Sequence, residues 1–241
     1  MKASTGSSTA TSSRLTSLPT RLNKIAETLR REYCRKHNYP WIVAYSGGKD
    51  STLLLQMVWE TVAALPAVRR RRSILIVGND TLVESPLVIH HLRDSLKAIG
   101  AAASEQGMPV DIRVTTPAID QTFWVSVIGR GYIPPTRNFR WCTDRMKIRP
   151  TSRLLKDIVG EHGGAFLLIG TRRSESQNRQ RGMDRRKVSA GKANDHDSVE
   201  GCRIFSPLAD LDDDDVWMVL MQRRPIRFQH GAQDALAPPS L

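Results

Sequence analysis

The chain has 241 residues, 40% of them apolar and 6% aromatic, and a formal net charge of +12. That length buries a core without disulfide staples, and no stretch reaches the ~18 apolar residues of a membrane span, so a membrane partner is not expected. The surplus of charge rests on 27 Arg against 9 Lys, and a guanidinium fork matches phosphate oxygens, which favours nucleotide or nucleic-acid partners.

Residues 1–19 read as a disordered tail, rich in Ser, Thr and Ala and without the apolar core of a secretory signal. From residue 20 the spacing of Leu22, Ile25 and Leu29 predicts a helix running to about His37. Tyr39 and Pro40 break it, and 41–45 (WIVAY) reads as a buried strand. An SGGKDS turn at 46–51 leads into an apolar helix. The arginines at 69–72 read as a solvated corner before a second strand at 73–77. Pro86 opens a helix that runs to about Ser104. Strands follow at 110–115, 165–169 and 203–205, and a last helix opens within 212–215. Strands alternating with helices predict an α/β domain over 20–222, an open, mostly parallel five-stranded sheet with helices on both faces. The polar, Arg-rich segments 129–150 and 171–200 read as loops over the carboxyl edge, where open sheets bind ligands. Residues 223–241 read as a second tail.

The most informative junction is strand–SGGKDS–helix. Gly47 and Gly48 let the backbone turn sharply and present N–H groups, and the helix that follows aims its positive end at the same space. Ser46 and Ser51 add hydroxyls, and Lys49 adds a point charge. Asp50 either caps the helix or helps hold a magnesium ion. The spacing is neither GxxxxGK[ST] nor GxGxxG.

At these residues the sequence resembles the PP-loop ATP pyrophosphatase superfamily, whose signature is SGGxDS after the first strand. The resemblance implies an adenine nucleotide α-hydrolase-like fold and cleavage of ATP, with Mg2+, to pyrophosphate and a substrate–AMP adduct. Further segments resemble its phosphoadenosine phosphosulfate reductase branch. These are Asn79-Asp80-Thr81 through Pro86, Arg140-Trp141-Cys142 through Lys147, Gly170-Thr171-Arg172 through Ser176 with Arg179, and 206–217. Within the branch, DTLVESP and RWCTDRMKIRP look most like DndC, the ATP pyrophosphatase family of bacterial DNA phosphorothioation. That resemblance implies DNA as substrate, with a cysteine desulfurase and other phosphorothioation proteins as partners. It also implies an iron–sulfur cluster, but Cys34, Cys142 and Cys202 are too few for four-thiolate ligation. Three cysteines also make no disulfide framework, which points to a reducing, cytoplasmic setting. Nothing like the E-C-G-x-H redox segment of the reductases is present, which argues against that reading.

The chemistry such an enzyme needs assigns the candidates. Lys49, Asp50 and Arg172 would act on the triphosphate. Cys142, between Arg140 and Arg145, would receive or relay sulfur as a thiolate, or is an inert packed thiol. Gly170, Thr171, Glu175 and Arg179 would border ATP or the acceptor phosphate, although Glu175 and Arg179 at i,i+4 also fit a surface ion pair. Asp80 and Thr81 would contact the nucleoside or cap the following helix. The basic stretch 177–192 would clamp a DNA backbone. The six histidines show no metal-ligand spacing. A phosphoadenosine phosphosulfate reductase, or a nucleotide- or DNA-binding subunit without catalysis, are the alternatives.

Overall fold

Alternation along each strand decides which layer its side chains enter. In the computed structural model, which describes residues 17–136 and 139–222, Trp41 and Val43 of β1 (Trp41–Ala44) join one buried cluster and Ile42 joins another. In β2 (Ile74–Asn79), Ile74 and Ile76 likewise face the first cluster, and Leu75 and Val77 face the second. Residues buried on both faces read as continuous apolar runs, which is why these strands were legible.

The first cluster is covered by α1 (Leu18–Tyr33), α2 (Lys49–Ala63), α3 (Pro86–Glu105) and, at the far end of the chain, α7 (Asp213–Gln222). Helix α2 is buried almost all round, through Leu53, Leu54, Leu55, Met57, Val58 and Val62. It must therefore lie between layers rather than on a surface. The second face is covered by α5 (Arg149–His162) through Leu155 and Ile158. A short helical turn, α4 (Trp141–Thr143), and a π turn (Asp144–Ile148) lead into α5. Pro150 sits in its first turn, and Gly163 ends it with a φ of 72°, the left-handed position that favours glycine.

The sheet has six strands in the order β3-β2-β1-β4-β6-β5, where β3 is Val110–Thr115, β4 Ala165–Leu168, β5 Asn194–Asp195 and β6 Cys202–Phe205. All pairs are parallel except β5 with β6. The five-stranded expectation is corrected by β5, a two-residue strand too short and polar to show in the sequence. It lies inside 171–200, which is not one loop: α6 (Gln177–Arg185) also folds there. The segment 129–150 likewise ends in the turns that start α5.

The 69–72 corner is not simply solvated. Arg72 is buried, and its guanidinium donates to the carbonyls of Tyr33, Tyr39 and Arg35 while also meeting His37 Nδ1. Arg70 donates to Ala63, Leu65 and Gln106 carbonyls. Most of these acceptors are carbonyls at or just past the ends of α1, α2 and α3, so the charge serves structure. The tail assigned to 223–241 lies outside the described residues, as does all of 1–19 except 17–19, where α1 begins at Leu18.

Candidate nucleotide site

Strand order reverses between β1 and β4, the switch point where open α/β sheets leave a crevice at the carboxyl edge. The loops leaving these two strands are 45–48 and 169–176, so topology alone brings the SGGKDS turn beside the Gly170-Thr171-Arg172 turn.

Gly47 adopts a φ of 75°, a conformation costly for any side chain with a Cβ. It carries the chain from β1 into α2, whose N-cap Gly48 offers no side-chain acceptor. The N–H groups of the first helical turn, at Lys49, Asp50 and Ser51, have no intrahelical acceptor by geometry. They face the same end as the helix dipole, so the turn is built to hold an anion. Ser51 is committed to the turn itself. Its hydroxyl donates to Gly48 O at 2.9 Å and accepts from Ser46 N–H at 3.2 Å. Ser46 Oγ lies 3.2 Å from Ser51 Oγ, so the pair shapes the loop from inside.

Behind the cradle stands a fully buried arginine. Arg172 Nε donates to Asp50 Oδ1 at 2.8 Å, Nη1 to Ser174 Oγ at 2.8 Å, and Nη2 to Asp213 at the start of α7. Burial alone would weaken its hold on the proton, but the two carboxylates reverse this and raise its pKa above the ordinary arginine value. The hydrogen bond from Arg172 holds the Asp213 carboxyl below the usual range. Lys49 Nζ lies 3.6 Å from both Asp50 Oδ2 and Asp213 Oδ1. Two cations and two carboxylates thus meet at one turn, and of the cations only Lys49 keeps a partly exposed head. The turns also touch through backbone: a Cβ on Gly170 would sit 2.8 Å from Asp50 O.

Residues 40–225 match the phosphoadenosine phosphosulfate reductase domain family. The chain belongs to this family. An uncharacterized protein of Methanocaldococcus jannaschii is 29% identical over 140 residues, which are 58% of this chain and 24% of that protein, so the chain spans about a quarter of this curated relative. Among solved structures, the U34-tRNA thiolase NcsA of Methanococcus maripaludis, with its [4Fe-4S] cluster, is 19% identical. The match covers 84% of this chain and 61% of that one, with a TM-score of 0.51. A phosphoadenylyl-sulfate reductase of Candida auris in a phosphate complex is 14% identical, covers 85% and 84% of the two chains, and gives a TM-score of 0.49. The likeness to the thiolase concerns the fold alone.

Against that family background, the predicted residues sort by position. Ser46, Gly47, Gly48, Lys49, Asp50, Ser51, Gly170 and Arg172 converge on one crevice. With every Arg172 donor group committed to an internal acceptor and no exposed surface, Arg172 holds Asp50 and Asp213 in place. Thr171 Oγ lies 3.2 Å from Ser206 Oγ, and both line a cleft with Arg179, Arg186, Asn194 and Asp195. Glu175 accepts from Arg172 N–H and pairs with Arg179 at 3.2 Å, which realises the ion-pair reading. Asp80 accepts from Leu82 N–H at 3.0 Å and from Arg93 at 2.8 Å. It holds the turn before α3, in which Leu82 has a φ of 63°. Thr81 is buried beside it, its hydroxyl without a hydrogen-bond partner among the described residues.

Cys142 is half-buried in α4, and no hydrogen bond among the described residues links it to the cradle. Cys34 is exposed after α1, and Cys202 is buried in β6, its thiol pushed up to about 11 by burial. Cysteines on three separate elements do not make a thiolate set, and no group of three or more His, Cys, Asp or Glu among the described residues fits a metal. An iron–sulfur cluster is not supported by these residues. Asp50 and Asp213, the carboxylates nearest the cradle, are both engaged by Arg172 and Lys49.

Two participants escaped the sequence reading. Asp213 closes the cation cluster from more than 160 residues away, and nothing in an acidic helix start announces that role. His91 of α3 lies over the turn, its ring Cδ2 3.2 Å from where a Gly47 Cβ would stand. Its signal would have been its place one helical turn beyond Pro86 at the same sheet edge. No helix among the described residues is long and apolar enough to cross a membrane.

Proposed function

We propose that the domain is an ATP pyrophosphatase that adenylates a backbone phosphate oxygen of DNA for replacement by sulfur, in the manner of the DndC family. The observation that carries this reading is the anion cradle at 46–51, with free first-turn amides and a partly exposed Lys49, braced from behind by Arg172. A non-bridging phosphate oxygen is a poor leaving group. Its attack on the α-phosphorus of ATP releases pyrophosphate and turns it into an anhydride oxygen. A persulfide from a cysteine desulfurase then attacks the activated phosphorus, AMP departs, and a thiol resolves the remaining sulfur–sulfur bond. In the first step the amides and Lys49 neutralise charge that grows on the pyrophosphate, and they need not reorganise to do so. Cys142 is proposed as the thiol that relays sulfur, and 177–192 as the segment meeting DNA. There Arg181, Arg185 and Lys187 make no ion pair among the described residues, whereas Arg186 pairs with Asp197 at 2.9 Å.

Pyrophosphate release from labelled ATP, with and without DNA and a desulfurase, tests this reading. Turnover is expected without any sulfonucleotide, falling on the order of a hundredfold in Lys49→Ala. ATP binding without pyrophosphate, even with DNA and partners, would favour a nucleotide-binding subunit. A second reading, reduction of a sulfonucleotide by a thiol, is favoured by the match to the reductase domain. Release of sulfite from phosphoadenosine phosphosulfate, with ATP left intact, would decide for it.

A further inference from the structure

Between β3 and α5 the chain gathers aromatic rings on the outside of the molecule. Trp124 is 59% and Phe139 53% exposed. Trp124 stands edge-on to Phe123 at 5.1 Å, Phe123 stacks on Trp141 at 5.8 Å, and Tyr132 meets Trp141 edge-on at 5.4 Å. Arg145 binds the group together, lying 4.5 Å over the Tyr132 ring and donating to its hydroxyl. Trp141 is anchored beneath by its indole N–H on Ile133 O at 3.0 Å. Trp124 is therefore mounted on a braced aromatic base rather than on a bare loop, and Phe139 lies exposed two residues before Trp141.

The surrounding charge matches a polyanion. Among the described residues of 119–149, Arg130, Arg140, Arg145, Lys147 and Arg149 stand against Asp120 and Asp144, and with Arg130 paired to Asp120 and Arg149 to Asp144 the balance stays positive. The segment also abuts the carboxyl edge of the sheet: Thr151 donates to Asn79 Oδ1 at 3.0 Å, and Lys147 pairs with Glu84 at 3.2 Å. Exposed aromatic faces beside clustered cations are what a strand with unstacked bases requires, since every base has a face to stack and every phosphate a charge to match. Duplex DNA keeps its bases stacked on one another and has no use for such rings.

We infer that the described residues of this segment, 123–136 and 139–149, form a platform for single-stranded DNA, with bases stacking on Trp124 and Phe139 and the backbone running past Cys142. The choice of DNA as the strand rests on the proposed function, and the platform itself rests on the rings and charges alone. The test is fluorescence anisotropy with a short labelled DNA strand, its duplex and its RNA counterpart, on the full chain. Single-stranded DNA should bind most tightly, and Trp124→Ala and Phe139→Ala should each weaken it by several-fold to a hundredfold, about 1–3 kcal/mol per lost stack. Trp124→Phe, which keeps a ring, should recover most of the loss, and affinity should fall as salt rises. Equal binding by Trp124→Ala and wild type, or tighter binding of the duplex or of RNA, would overturn the inference. ATP binding by the same variants should match wild type. If ATP is not cleaved while the Trp124-dependent binding persists, the proposed function fails and the platform stands.

Discussion

Arg172 and Asp50 lie 122 residues apart in sequence and 2.8 Å apart in space, with no solvent reaching the guanidinium. The bond ties the turn after β4 to the first turn of α2, so the crevice between them has fixed walls. Arg172→Met removes the cation that serves Asp50, Ser174 and Asp213 together. A loss of about 3 kcal/mol in chemical denaturation is expected, with ATP affinity falling in a calorimetric titration. Arg172→Lys should rescue little, because an ammonium is a point charge and not a planar fork.

Asp213 acts in the opposite direction on the ligand. Its carboxylate, mostly exposed, stands 3.6 Å from Lys49 and offsets part of the charge a triphosphate would meet. Asp213→Asn should therefore bind ATP a few-fold more tightly at low salt, with the gain shrinking as salt screens the site. Unchanged or weaker binding at low salt would show that Asp213 serves only to hold Arg172.

Gly170→Ala places a methyl 2.8 Å from Asp50 O, against backbone that cannot rotate away. Overpacking of this kind costs about 1–3 kcal/mol, and here the displaced atom belongs to the cradle. Thermal melting should fall and pyrophosphate release with it. Ala at Gly164, which would meet the Tyr39 ring at 2.7 Å instead, should destabilise without that selective effect on turnover.

Acid should loosen the contact between α1 and α7. Arg21 makes two hydrogen bonds to the Asp215 carboxylate, at 2.6 and 2.5 Å. Burial pushes that carboxyl up, but Arg21 and the Asp212 backbone more than offset it, so the folded pKa lies below the ordinary value. The unfolded chain then binds the proton more readily. The stabilisation is complete above the ordinary carboxylate pKa of about 4 and is lost as pH falls through the lowered folded value. Melting temperature measured against pH should show this acid limb, and Asp215→Asn should flatten it.

Thiol chemistry separates the cysteines. With its thiol pushed up to about 11 inside the sheet, Cys202 stays protonated and shielded near neutral pH. An alkylating reagent followed by mass mapping should label Cys34 first and Cys142 next, leaving Cys202 unmodified until the protein unfolds.

The cradle and the parallel strands could be read from the sequence because each is local. Two glycines between a buried strand and a helix define a turn, and runs such as 74–77 can only lie between two layers. What escaped was non-local or short. Helix α5 was overlooked, although Pro150 and Gly163 mark its ends. Arg72 read as surface because its acceptors are carbonyls 33 to 39 residues earlier. Arg172 was found as a site residue, but its burial and its dependence on Asp213 follow from tertiary packing that no spacing encodes.

The borders of the sheet carry a consequence for how copies of the molecule meet. At one side β5 offers a mere two residues, running against its neighbour, and at the other β3 displays Asp111 and Arg113 outward. A stunted strand and a charged rim both discourage a second copy from continuing the ladder. Neither border invites a copy to extend the sheet, so the carboxyl edge, and not a sheet rim, is the face on which the fold offers a place for a ligand.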